Sequence, residues 1–393
     1  MNAIFLALLM AATPSFEAKT LNGQTVEGTL SALDADHLDL KTSEGPVSLK
    51  TDTLLRISLK QKAAAAKNGS VCVELIDGSM LFGQQYTAHD GQAILLFSDS
   101  QKIKLPLRSV LTVRFQRDSD ALGAEWVRIA GMKRDSDLLV VRKDEVLDYH
   151  KGALQNVDED TVQFNVDGEV LPVKRGKVYG LAYHHPTENK LPSAICRITD
   201  ASGSQWAVQA IGVADQLQWT TPTGLKMSLP LEKVTQIDFS SGKLAYLSDM
   251  QAENVRWTPF FGGNKMPAAV EQFYIPRQDR NFDGDSLQLD GVSYSKGVAV
   301  QSRTELTYRI PEGFNRFLAV VGIDDDARPN GKVKLVIRDD TKVLLDTVIA
   351  GSDASQPIDL DIAGVRRLVI LVDFADTTHV GNHLLLCNAR ITK

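Results

Sequence analysis

The 393-residue chain carries a formal charge of −6, with 43 Lys and Arg against 49 Asp and Glu. This balance argues against nucleic acid as a partner, because such binding rests on clustered basic residues that release counterions, and the basic clusters here, Arg366-Arg367 and Lys174-Arg175, are isolated pairs. The length permits more than one core, and three widely spaced cysteines, Cys72, Cys196 and Cys387, match neither a disulfide framework nor a metal-ligand spacing.

The chain opens Met1-Asn2-Ala3 and runs through Ile4-Phe5-Leu6-Ala7-Leu8-Leu9-Met10-Ala11-Ala12 to Thr13-Pro14-Ser15. An apolar run of this length closed by small residues reads as a signal peptide over residues 1–17, and it is shorter than the roughly 20 residues a membrane span needs. No Lys or Arg precedes the run, so either the α-amino group supplies the positive end or the start lies upstream. The competing reading is a buried N-terminal strand or helix. A signal peptide implies a secreted or periplasmic protein.

Between residues 18 and 243 one pattern recurs four times, which has to be recognised before a fold is assigned. The first copy reads Leu21-Asn22-Gly23-Gln24-Thr25-Val26-Glu27-Gly28-Thr29-Leu30, then Leu38-Asp39-Leu40, Val47-Ser48-Leu49 and Leu55-Arg56-Ile57-Ser58-Leu59. Alternation with turns every eight to twelve residues predicts short antiparallel strands with one buried face. From Gly28 to Ile57, Gly83 to Val113, Gly152 to Leu181 and Val208 to Ile237 the separations are 29, 30, 29 and 29 residues. A glycine where a strand bends sharply over its own sheet has a physical reason, since any Cβ would collide there; Val208 predicts a shallower or displaced bend in the fourth copy.

These copies resemble Sm-like small barrels, with units at 18–60, 70–117, 138–185 and 193–243. The RNA-binding members of that group carry Arg-Gly before the last strand, and here only Arg175-Gly176 matches. Between the second and third units, residues 118–137 hold Leu122, Trp126, Ile129 and Ala130 at helical spacing behind Ser119 or Asp120, which predicts a short capped helix. His184-His185 precedes Pro186 and reads as a linker pair.

From residue 250 to 393 the strands lengthen, as in Arg316-Phe317-Leu318-Ala319-Val320-Val321 and Arg367-Leu368-Val369-Ile370-Leu371-Val372. About eight strands with Gly, Pro and Asp turns predict a two-sheet sandwich of jelly-roll type. The whole chain is thus expected to be all-β: tandem small SH3/Sm-like barrels followed by a sandwich.

Within this last region stand Ser295-Lys296-Gly297, Val321-Gly322-Ile323-Asp324-Asp325-Asp326 and Asp359-Leu360-Asp361-Ile362-Ala363-Gly364-Val365. In that order and spacing they resemble the NPCBM family, a carbohydrate-binding module attached to glycoside hydrolases. The resemblance implies a galactose-binding-like sandwich and recognition of a glycan. Three positions depart from the family pattern. Gln301 stands where members often carry His, and His383-Leu384-Leu385-Leu386 lacks the acid and the Trp of a His-x-Asp-Trp block.

Sugar recognition needs flat aromatic faces and polar groups that replace water on hydroxyls. The candidates are Arg303, Asp324, Asp325, His379, Asn382 and His383, with Trp257, Phe260 and Tyr274 as plates. The plainer alternative is that the aromatics seal a sandwich edge and the Asp run is a solvated turn. Asp324 and Asp326 are also candidate calcium ligands, since hard oxygen donors between strands pin a loop. The stretch Asp279-Arg280-Asn281-Phe282-Asp283-Gly284-Asp285 with Asp290 copies an EF-hand loop, but its flanks are not helical and Asp290 replaces the closing Glu, which favours an Asx-rich turn.

No Gly-x-Ser-x-Gly elbow, P-loop or His-Glu-x-x-His occurs in the sequence. The sequence therefore predicts a secreted, non-catalytic binder of a glycan or cell-surface polysaccharide. The alternative is an envelope scaffold whose sandwich has lost its sugar site and contacts other envelope proteins.

Overall fold

The computed structural model of the protein describes residues 14–60, 69–116, 120–186, 190–259, 272–375 and 381–393. It is all-β apart from 3-10 turns and one α-helix among the described residues, Asp120–Ala130. Two compact units divide the chain at Ser241 and Gly242.

In the first unit, the first repeat is a meander of strands Ser15–Thr20, Thr25–Leu33, His37–Thr42 and Gly45–Lys50. Alternation drives it: Leu38 and Leu40 are wholly buried while their neighbours His37, Asp39 and Lys41 face outward or lie half-buried. A 3-10 turn at Thr51–Thr53 then sends strand Leu54–Leu59 back to pair with the first strand. The other repeats follow the same plan. Their 3-10 turns, Leu107–Ser109, Arg175–Lys177 and Leu231–Lys233, precede return strands Val110–Arg114, Val178–Ala182 and Val234–Asp238. Each return strand pairs with the first strand of its own repeat.

The bend glycines are enforced by close approach. A Cβ on Gly83 would lie 2.4 Å from Leu95 Cδ1, and one on Gly152 would lie 2.3 Å from Asn165 O. In the fourth repeat the strand stops at Val208 and resumes at Ala210 in a separate three-stranded sheet, so the bend is replaced by a break.

The repeats do not close into barrels. Among the described residues no pairing joins the fourth strand of a repeat to its return strand. The return strand's second edge is occupied by another repeat: Leu54–Leu59 pairs with Val234–Asp238, and Val110–Arg114 pairs with Val178–Ala182. The registers set Ile57 opposite Ile237 and Val113 opposite Leu181, the four positions that the 29- and 30-residue spacings equate.

Repeats two and four meet in the same reciprocal manner. Ser79 Oγ accepts the Ala207 amide at 2.9 Å and Ser204 Oγ accepts the Phe82 amide at 2.9 Å, with Met80 opposite Gln205 between them. Counted from the bend at Gly83 and Val208, Ser79 and Ser204 are equivalent, as are Phe82 and Ala207. The bonds therefore obey a local two-fold axis. Both serines are fully buried, so each hydroxyl satisfies an amide that would otherwise cost roughly 1–3 kcal/mol.

Beside repeats two and three, the helix packs Leu122, Trp126 and Ile129 against Leu138, Val140, Tyr179 and Ala182. His184 and His185 are structural: the His184 amide donates to Asp137 Oδ1 at 2.6 Å, and His185 Nε2 lies 2.8 Å from Val110 O. The first strand begins at Ser15, and Phe16 within it is buried. Residues 1–13 of the expected signal peptide lie outside the described residues, whereas Ser15, Phe16 and Glu17 at its end belong to this strand.

The second unit is a two-sheet sandwich. One sheet has the order Asn254–Trp257, Thr304–Arg309, Arg367–Phe374, Lys332–Arg338 and Val343–Ala350. The facing sheet runs Arg277–Gln278, Gly297–Gln301, His383–Thr392, Arg316–Ile323 and Gln356–Asp361, and Leu244–Tyr246 also pairs with His383–Thr392. Between the sheets lie Val298, Val300, Phe317, Val321, Leu384 and Leu386 against Leu306, Leu335, Ile337 and Ile370. The outer face of the second sheet is itself covered, with Leu385, Ala299 and Cys387 packed under Leu287 and Leu289. A strand covered on both faces reads as an unbroken apolar run, and this is why Leu384-Leu385-Leu386 occurs.

Candidate functional site

Strand Arg316–Ile323 ends at one edge of the sandwich, where Asp324 leads into the 3-10 turn Asp325–Ala327. The Asp324 amide donates to the His383 carbonyl at 3.0 Å, which ties this turn to the start of the neighbouring strand. The Asp324 side chain is 1% exposed, and its Oδ1 has no hydrogen-bond partner among the described residues. Burial, with the adjacent charges of Asp326, Asp325 and Asp283, pushes its carboxyl up to about 6.

Around it the polar side chains divide into those already engaged and those that are not. Asn281 is buried; its Oδ1 accepts the amides of Asp283 and Asp285 at 3.1 and 2.8 Å, and its Nδ2 donates to Asp326 Oδ2 at 3.1 Å. His383 is half-buried beside Phe282, with ring centroids 5.0 Å apart at 45°. Burial pulls its imidazole below the ordinary value against an opposing pull from Asp283, so the ring favours its neutral form, able to donate from one nitrogen and accept at the other. Asp325 spends both oxygens on the amides of Asp290 and Gly291, at 2.9 and 2.8 Å. Asn382 Oδ1 accepts the Lys332 amide at 2.8 Å.

The sequence candidates therefore separate. Asp324, Asp326 and His383 come together, joined by Asn281 and Asp283 from the Asx-rich loop. Asp325 and Asn382 serve as loop ties. Arg303 forms an ion pair with Asp373 at 3.4 Å and is half exposed. His379 and Phe260 lie outside the described residues. Trp257 and Tyr274 stack on each other, centroids 4.0 Å apart and 14° from parallel, so each covers one face of the other. The Trp257 Nε1 and the Thr304 Oγ1 on the strand paired with it are buried without hydrogen-bond partners among the described residues.

The EF-hand-like stretch does not converge on a cation. Asp279 accepts from Lys296 at 2.9 Å, Asn281 binds its own loop and Asp326, and Asp290 pairs with Arg328 and accepts the Ser355 amide at 2.7 Å. The preference for an Asx turn follows from these bonds. Among the described residues no group of three or more His, Cys, Asp or Glu side chains is arranged to hold a metal; Asp326, named with Asp324 for calcium, accepts from Asn281 Nδ2 at 3.1 Å.

Of the sequence blocks that carried the family resemblance, Val321–Asp326 lies at this end, Ser295–Gly297 meets Cys387 further along the sheet, and Asp359–Asp361 pairs with the far end of the Arg316–Ile323 strand. Lys296 bridges Asp249 and Asp279 at 2.5 and 2.9 Å. A Cβ on Gly297 would lie 2.6 Å from Leu386 O, and one on Gly322 would lie 2.8 Å from Leu289 Cδ2. Leu385 and Leu386, at the positions of the missing acid and aromatic, are wholly buried in the core strand.

Fold and motifs define a β-sandwich of the carbohydrate-binding-module class. Residues 261–392 match the NPCBM/NEW2 domain, and the C-terminal unit carries a domain of that type. A Renibacterium salmoninarum protein named "Putative endo-alpha-N-acetylgalactosaminidase" is 28% identical over 182 residues, covering 43% of this chain and 12% of that protein. The chain thus spans about an eighth of that relative's length. Among solved structures, the CBM51 module of Clostridium perfringens GH95 in complex with methyl-galactose is similar at 21% identity and a TM-score of 0.32, over 38% of this chain and 99% of that one. CBM51-2 with the INT domains of Clostridium perfringens ZmpB, in complex with GlcNAc, has the same identity and score over 47% of this chain and 37% of that one. Among the described residues no helix is long and apolar enough to cross a membrane.

Proposed function

We propose that the protein is a secreted, non-catalytic glycan binder whose sandwich receives the sugar at the end built from Asp324, His383, Asn281 and Asp283. The repeats act as a spacer or a protein-interaction platform. The carrying observation is the buried Asp324 carboxylate with an unpartnered Oδ1. A buried acceptor without a donor is costly, and a sugar hydroxyl supplies the missing hydrogen. The half-buried imidazole of His383 adds a second group able to meet a neighbouring hydroxyl. A signal peptide removed before Ser15 leaves the first strand whole.

The similarity to a protein named for N-acetylgalactosamine chemistry makes glycans bearing that sugar the first probes. The full chain is applied to a glycan array with calcium and again with chelator, beside Asp324→Ala. Saturable binding of a glycan, lost in the variant, supports the reading; calcium dependence would bring a cation into this end. Absence of binding to every glycan under both conditions sinks it.

A second reading, an envelope scaffold that uses the sandwich for protein contact, draws on Phe273 and Ile275, which are 71% and 49% exposed. Loss of a protein partner on replacing both with Ser, in a chain that binds no glycan, would favour it.

A further inference from the structure

A cavity in the repeat unit has no place in the sugar reading. It measures about 320 Å³ and lies where repeat two meets repeat four. Trp206, Trp219, Met227 and Leu229 of repeat four form its apolar wall together with Phe97 and Ile103 of repeat two. The two indoles meet edge to face, centroids 5.6 Å apart at 66°. Trp206 is fixed by its Nε1–H, which donates to Asp200 Oδ2 at 3.2 Å, while Asp200 Oδ1 accepts the amides of Ser202 and Ser204 at 2.8 and 3.0 Å. Such a wall is preorganised.

The local two-fold axis shows that this space is particular to one side. Counted from the bend, Trp206 is equivalent to Leu81, and the pairings Tyr86 with Leu95 and Ile211 with Trp219 equate Trp219 with Leu95. Repeat four thus carries two of the largest side chains where repeat two carries leucines, and open space remains beside them, contrary to the ordinary filling of a core. Across the axis, the loop around Thr223 closes onto repeat two, with Thr223 Oγ1 donating to Asp77 Oδ2 at 2.9 Å. On the open side, Asp99 is drawn to Lys233 at 2.7 Å, and Glu232 adds a second carboxylate to the rim. With Asp99 and Lys233 paired to each other, Glu232 leaves the rim with a net negative charge.

An apolar cavity of about 150 Å³ accommodates one benzene ring, so the volume here suits a two-ring molecule. We propose that this cavity is a binding site for a small cationic aromatic compound, an aryl amine whose rings lie against Trp206, Trp219 and Met227 and whose ammonium faces Glu232.

Calorimetric titration of the full chain tests it, with tryptamine and indole-3-acetate as probes of equal ring size and opposite charge. Tryptamine is expected to bind saturably at one site, and indole-3-acetate about tenfold more weakly or worse. Met227→Trp, which fills the cavity, should abolish tryptamine binding. Glu232→Lys, at an exposed position, should reverse the preference between the probes and remains decisive if the Met227 variant does not fold. No saturable binding of tryptamine overturns the proposal. So does equal affinity for the two probes, wild-type binding in a folded Met227→Trp, or an unchanged preference in Glu232→Lys.

Discussion

The two units leave buried polar side-chain atoms unpartnered to different extents. Where repeats two and four meet, Ser79 and Ser204 each satisfy an amide of the other repeat, Asp200 is saturated by Ser202, Ser204 and Trp206, and Trp219 Nε1 is the one buried polar side-chain atom left without a partner among the described residues of the repeat unit. At the end of the sandwich, Asp324 Oδ1, Trp257 Nε1 and Thr304 Oγ1 are buried without such partners among the described residues. A scaffold gains by closing every hydrogen bond, while a binding site leaves some for its ligand. The serine bonds tie the repeats together, and these unpartnered atoms of the sandwich gather at its loop end, where the glycan is proposed to bind.

The largest expected effect would break the repeat frame. In Gly152→Ala the new Cβ would meet Asn165 O at 2.3 Å, and the strand pair must separate at a cost of about 3 kcal/mol. The equivalent Val208→Ala in repeat four only removes buried methyls, for about 2 kcal/mol. Urea unfolding of the two variants measures the difference, and equal losses would show that the bend needs no glycine.

Next comes the titration of Asp324. Folding raises its carboxyl from 3.8 to about 6, so the folded state favours the protonated form. Its contribution is fully favourable below pH 3.8 and is lost as pH rises through about 6. Asp324→Asn should therefore stabilise the sandwich at pH 7.5 by up to about 3 kcal/mol and change little at pH 3.5. Denaturant midpoints at both pH values check the sign, and a variant less stable at pH 7.5 would mean that the carboxylate has a partner.

Ser79→Ala and Ser204→Ala should each cost about 2 kcal/mol by stranding a buried amide. The axis relates the two bonds, so their costs should match. Unequal costs in paired thermal melts would blur the symmetry that sharpens the comparison. At the small end, Arg316→Ala removes an exposed ion pair with Asp359 and should shift the melt too little to resolve.

Much of the repeat architecture was legible because its signals are local. Alternation around Leu38 and Leu40, the bend glycines and the constant offset to Ile57, Val113, Leu181 and Ile237 are all written within about 30 residues of chain. The edge-to-edge pairing of Ile57 with Ile237 and the Ser79–Ala207 bond span more than 120 residues, and a single sequence carries no record of such contacts. That pairing, invisible in the sequence, is also why closed barrels did not form.

In the sandwich the block ending in Asp324-Asp325-Asp326 marks one end and Asp359–Asp361 the other. The sequence could not separate Asp324, whose Oδ1 lacks a partner among the described residues, from Asp325 one residue later, whose two oxygens are consumed by Asp290 and Gly291. Likewise the run Leu384-Leu385-Leu386 gave no hint that the strand is covered on both faces, which makes the departure from the family pattern a matter of packing. The Asx-rich loop did contribute to the site through Asn281 and Asp283, by turn formation rather than by an EF-hand geometry.

The proposed role of Asp324 is tested by calorimetric titration of the full chain and of Asp324→Ala with whichever glycan scores highest on the array. The unaltered chain is expected to bind saturably, and binding should be lost in a variant that melts as a folded protein. Undiminished binding by that variant, or the absence of any glycan that binds, would contradict it.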